Sequence, residues 1–118
     1  MQIHITGRHM EITDAIRDYV HTKMQHDLME FPRVESVHVI LDLEKYRQIA
    51  EVVIQAPNHI RVEAKAVSDN LYSSIDSASE KAAKQVRRSW EKITDHKSRE
   101  KLAQVDLHAQ SAAESVEP

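Results

Sequence analysis

The sequence predicts an α+β domain with the order β-α-β-β-β-α, two helices packed on one face of a four-stranded sheet and the last helix long. Three observations carry that expectation. Four short segments alternate polar and apolar residues, the period of two that a half-buried strand requires. Two longer segments repeat apolar residues every three or four positions, as an amphipathic helix does. The chain's 118 residues suit one compact domain and leave no room for a second core.

Gln2-Ile3-His4-Ile5-Thr6-Gly7 alternates up to the only glycine of the sequence, which suits a strand ending in a turn. Thr13 then offers an N-cap hydroxyl, and Asp14 places an acid at the positive end of the helix dipole. Ile12 precedes the cap as a hydrophobic staple against Ile16 or the stem of Arg17. Ile16, Tyr19, Val20, Met24 and Leu28 follow at helical spacing until Phe31-Pro32, so the first helix is expected over about 13–29.

Val34 to Leu43 alternates again, with Val37, Val39, Leu41 and Leu43 on one side. A charged turn, Glu44-Lys45-Tyr46-Arg47, leads into the β-branched run Ile49 to Gln55, whose Ala50, Val52 and Ile54 face inward. Pro57-Asn58 turns the chain into His59 to Ala66, where Arg61, Glu63 and Lys65 face solvent. Connections this short make the last three strands an antiparallel meander, with the polar face of the sheet left open.

Ser68-Asp69 supplies the next N-cap, and Leu71, Ile75, Ala78, Ala82, Val86, Trp90 and Ile93 continue at helical spacing. A helix over about 69–97 spans roughly 42 Å, whereas an eight-residue strand covers about 26 Å, so its far end is expected to overhang the sheet. The expected organisation is a domain over 1–98 followed by a flexible acidic tail over 99–118.

Composition narrows the chemistry. Without cysteine there is no disulfide, thiolate metal site or thiol nucleophile, and one glycine makes no Gly-rich phosphate loop. No stretch approaches the ~20 apolar residues of a membrane span, and Met1 to Ile5 is patterned as a strand and not as a signal peptide. A cytoplasmic protein is expected. The eight histidines lack ligand spacing: His21 and His26, for example, point to different faces of one helix. Asp14 and Asp18 form an exposed carboxylate pair with no nucleophile implied nearby. No catalytic residue, metal or cofactor is expected, and no enzyme activity.

The net charge of −3 hides a local excess: residues 80 to 101 hold eight Lys/Arg against four Asp/Glu. On a helical wheel with Lys81 at 0°, Arg88 falls at about 340°, Lys92 at about 20°, Lys84 at about 300° and Arg87 at about 240°. The apolar set lies between about 60° and 140°, a separate face. Lys81 to Lys92 rises roughly 16 Å, enough to meet several phosphates. A charge run on an exposed helix is also an ordinary solvated face, and Glu80 with Lys84 and Arg87 with Glu91 offer partial pairing. Spacing alone leaves both readings open; the expected overhang favours phosphate.

Several spaced motifs add a resemblance. Ile3-His4-Ile5-Thr6-Gly7-Arg8, Glu11-Ile12-Thr13-Asp14-Ala15-Ile16-Arg17 and Lys23 resemble the start of the ribosome hibernation factors, the family of the hibernation promoting factor and the ribosome-associated inhibitor of translation. Ala50-Glu51-Val52 is similar to the family's third strand. Asp69-Asn70-Leu71-Tyr72-Ser73-Ser74-Ile75-Asp76 is similar to the signature opening its last helix, and Lys81, Lys84, Gln85, Val86, Arg87 and Arg88 match the basic series after it. The resemblance covers about residues 1 to 95.

What it implies is a domain seated in the messenger and transfer-RNA channel of the small ribosomal subunit, blocking translation under stress by occupancy. Lys81, Lys84, Arg87, Arg88 and Lys92 would contact ribosomal RNA phosphates, joined by Lys23 on the first helix and Lys45 after the second strand. Such contacts position a protein without reading base sequence. The implied form is the short one, without the C-terminal dimerisation domain of longer members, and monomeric off the ribosome. Two departures stand out: Asp27 replaces an apolar residue, and Ala82-Ala83 are small where the family is bulkier. Tyr72 suits packing better than base stacking.

Two other classes compete. A general double-stranded-RNA module has a Lys-rich helix like Lys81-Ala82-Ala83-Lys84, but at the helix N-terminus and not about twelve residues inside. A protein-interaction regulator using the tail or the open sheet face fits the composition without a positive signal.

Overall fold

The computed structural model describes the backbone over residues 1–103 and side chains over 1–93. Its elements are β1 (Gln2–Arg8), α1 (Asp14–Asp27), β2 (Ser36–Glu44), β3 (Arg47–Ala56), β4 (Ile60–Ser68) and α2 (Leu71–Ala103), the expected order. The strands lie side by side in sequence order. β2, β3 and β4 form the antiparallel meander, and β1 pairs with β2 in parallel. Parallel pairing needs a crossover between the two strands, and α1 supplies it.

Register aligns the inward residues in rows across the sheet. One row runs Ile3, Val37, Ile54, Val62; the next Ile5, Val39, Val52, Ala64; the third Gly7, Leu41, Ala50, Ala66. Val20, Met24 and Leu28 of α1, and Ile75, Ala78, Ala82 and Val86 of α2, are buried with them. At about 25 cal/mol per Å² of apolar surface, this shared face is the main source of stability. Alanines at 64 and 66 on β4 and at 78 and 82 on α2 are all buried. Small residues on both elements allow close packing, and the Ser74 hydroxyl reaches the Gln48 carbonyl at 2.6 Å.

Local sequence explains the element ends, with three corrections. Thr13 caps α1, its hydroxyl accepting from the Ile16 amide at 3.2 Å as expected. α2 is capped by Asn70 and not by Ser68 or Asp69: the Asn70 side chain accepts from the Ser73 amide at 3.2 Å. Ser68 instead closes a tight turn, accepting from the Asn70 amide and donating to its carbonyl. α2 also runs past the expected 97 to Ala103, because no Gly or Pro stops it. Gly7 lies inside β1 and does not end it. A side chain there would meet the Met10 carbonyl at 2.7 Å, so only glycine lets the connection to α1 fold back this closely.

The chain falls into two compact units, Met1–Val86 and one that begins at Arg87. The expected tail reaches α2 at residues 99–103, and the rest of it, 104–118, lies outside the described residues.

Candidate nucleic-acid interface

In the first unit, a polar layer binds α1 to α2. Tyr19 donates to the Asp76 carboxylate at 2.6 Å, which raises the phenol's pKa above the ordinary value. Tyr72 meets the Tyr19 ring edge-on, with centroids 4.7 Å apart, and so takes the packing role expected of it. One turn of helix on, Lys23 Nζ lies 2.9 Å from Glu80 and 3.4 Å from Asp27. Burial works against the Lys23 charge, but Glu80 and Asp27 outweigh it and hold the pKa above the usual lysine value.

Asp27, the apparent departure from the family pattern, occupies the heart of this layer. Its carboxylate accepts the Ser79 hydroxyl at 2.7 Å and contacts the His26 ring at 3.1 Å. Burial disfavours its charge, yet Ser79, His26 and Lys23 together hold its pKa below the ordinary carboxylate value. A polar residue at 27 is therefore matched by a buried polar residue at 79.

The sequence-predicted cations divide by environment. Lys23 is engaged: its side chain is 20% exposed and ion-paired twice. Lys81 and Lys84 lie exposed on α2 while Ala78, Ala82 and Val86 of the same helix are buried, so basic and core faces are separate in this unit. Lys81 Nζ donates to the Lys65 carbonyl at 3.4 Å, a long hydrogen bond. The helical pairing expected of Glu80 with Lys84 is replaced by that of Glu80 with Lys23. Lys45 is exposed in the two-residue turn between β2 and β3, with φ at 54°. In the second unit, Arg87, Arg88 and Lys92 are each exposed.

The open face of the sheet carries His4 edge-on to His38, with the Thr6 hydroxyl 2.8 Å from the His38 ring. Beside them, Gln2, Ser36, Gln55 and Arg61 line a shallow depression. Among the described residues no group of three or more His, Asp or Glu side chains is arranged to hold a metal ion, and no helix is long and apolar enough to cross a membrane. Sequence reasoning missed Asp27, Ser79 and Glu80 as a unit, because their pairing joins residues 52 or more positions apart in sequence.

The chain thus joins a β-α-β-β-β-α domain to exposed cations on its last helix. Residues 3–94 match the model of the family described as "Sigma 54 modulation protein / S30EA ribosomal protein", and the chain belongs to that family. It is 34% identical over 96 residues to the ribosome hibernation promoting factor of Salmonella typhimurium, covering 81% of this chain and all of that one. The corresponding factor of Pseudomonas putida is 35% identical over 92 residues, 78% of this chain and 89% of its own. The N-terminal domain of Thermus thermophilus Protein Y superposes with a TM-score of 0.68 at 34% identity, over 75% of this chain and 98% of that domain. A ribosomal subunit interface protein of Coxiella burnetii shares the fold, with a TM-score of 0.71 at 24% identity, over 75% and 97% of the two chains.

Proposed function

We propose that this chain is a ribosome hibernation factor that binds ribosomal RNA of the small subunit in the messenger and transfer-RNA channel and blocks translation by occupying it. The observation that carries the reading is the basic face of α2, with Lys81 and Lys84 exposed opposite a buried apolar face, in a chain of this family. Lys81 and Lys84 of the first unit, and Arg87, Arg88 and Lys92 of the second, contact phosphates, and Lys45 contributes from the β2–β3 turn. Lys23 serves the same interface indirectly, by fixing α1 against α2. Its site of action is the cytoplasm, where ribosomes are. Phosphate contact is positional and needs no catalytic group, metal or cofactor.

The test is a sucrose-gradient profile of stationary-phase cells probed for this chain. The expected result is co-migration with particles containing small subunits, lost progressively as salt is raised, because neutralising Z phosphates gives a steep salt dependence. A chain that remains at the top of the gradient, or that binds without salt dependence, overturns the reading.

A further inference from the structure

Of the three tyrosines, two are accounted for by the fold: Tyr19 is hydrogen-bonded to Asp76, and Tyr72 packs on Tyr19. The third is not. Tyr46 occupies the tip of the β2–β3 hairpin and is 89% exposed, so its ring adds almost nothing to the stability of the domain. Register pairs Glu44 with Arg47, which leaves Lys45 and Tyr46 as the whole loop.

Two-residue hairpins favour Asn-Gly or similar small pairs, since left-handed backbone is required there. This hairpin instead holds Lys45 at φ 54°, a conformation that costs a side-chain-bearing residue free energy. The strain is a cost to folding and the exposed ring brings no gain, and neither is explained by the core. Arg47 reaches Glu44 only at 4.0 Å, the outer limit of an ion pair, and Tyr46 is flanked in sequence by Lys45 and Arg47, both exposed.

We propose that Tyr46 is a stacking residue, its ring lying against an unpaired ribosomal RNA base while Lys45 and Arg47 hold the adjoining phosphates. The inference rests on the ribosomal RNA reading above and extends it to a second contact point on a different element. A rigid two-residue turn presents the ring at little conformational cost, and a tyrosine has only two torsions to fix. Stacking is tolerant of base identity and draws on flanking cations, the combination present here. A pocket on a ribosomal protein would use the ring for its apolar bulk alone and has less need of the two cations.

The experiment compares the full chain with Tyr46→Ala, Tyr46→Leu and Tyr46→Phe for binding to purified small subunits across a salt series, after circular dichroism has shown equal folding. Loss of one stacked base predicts affinity roughly 5- to 100-fold lower for Tyr46→Ala and Tyr46→Leu, with the salt slope unchanged. Tyr46→Phe stays within about twofold, since the π-face is retained. Equal binding by Tyr46→Ala overturns the proposal. Full retention by Tyr46→Leu also overturns it, in favour of an apolar protein pocket, and a Tyr46→Phe defect as large as that of Tyr46→Ala overturns it in favour of a hydroxyl contact. If the unsubstituted chain does not bind subunits at all, the ribosomal RNA reading fails first and the stacking inference falls with it.

Discussion

Glu80 directs its carboxylate at Lys23 on α1, 2.9 Å away, rather than at Lys84 four residues further along its own helix. The acid that would ordinarily mask the basic face thus serves to join the two helices. Because Glu80 is largely exposed, the pair itself contributes little, within about 1 kcal/mol. Glu80→Gln is expected to lower stability by no more than that in urea unfolding. The same variant removes a negative charge beside Lys84 and is expected to raise affinity for small subunits a few-fold at low salt.

Lys84→Glu combined with Arg88→Glu is expected to leave the fold unchanged, since both side chains are exposed. Co-sedimentation with small subunits should fall by orders of magnitude, because two attractions become two repulsions. The remaining binding should show a shallower salt dependence.

Ser79 is fully buried and gives its hydroxyl to Asp27 at 2.7 Å. Asp27→Ala strands that hydroxyl and is expected to cost about 1–3 kcal/mol. Asp27→Leu with Ser79→Ala removes both partners together and is expected to recover much of the loss, because neither polar group then remains unsatisfied. Chemical denaturation of Asp27→Leu, Ser79→Ala and the double variant measures the coupling.

The same layer sets a pH window. Asp27 titrates below its ordinary value, so its contribution is complete above the normal carboxylate range and is lost as pH falls through its lowered folded pKa. Lys23 titrates above its ordinary value, so its contribution is complete below the normal lysine range and is lost as pH rises through its raised folded pKa. Thermal stability between those limits is expected to be flat with respect to these two groups. Asp27→Asn should flatten the acid limb specifically.

The sequence revealed what repeats locally. Alternation at Val37, Val39 and Leu41, and helical spacing at Ile75, Ala78, Ala82 and Val86, marked the buried residues correctly because each pattern is imposed by one shared core. Period carries no strand direction, so the parallel pairing of β1 with β2 was not legible. Nor was the continuation of α2 beyond residue 97, although the sequence through Ala103 offers no stop residue. At the candidate interface, the separation of cations from the core face was readable on a wheel. The fate of Lys23 was not: its partner Glu80 lies on the other helix, and only tertiary structure brings the two together. Tyr46 looked like an ordinary turn residue, because exposure of a single aromatic leaves no periodic trace.

The left-handed backbone at Lys45 sets two properties of the hairpin in opposition. Lys45→Gly relieves the conformation at a cost to denatured-chain entropy, and it also deletes a cation from the tip. At unchanged or higher melting temperature, the variant should hold RNA less firmly. Lys45 thus sets backbone relaxation against charge at a single position, and melting temperature and RNA affinity measured together on Lys45→Gly separate the two.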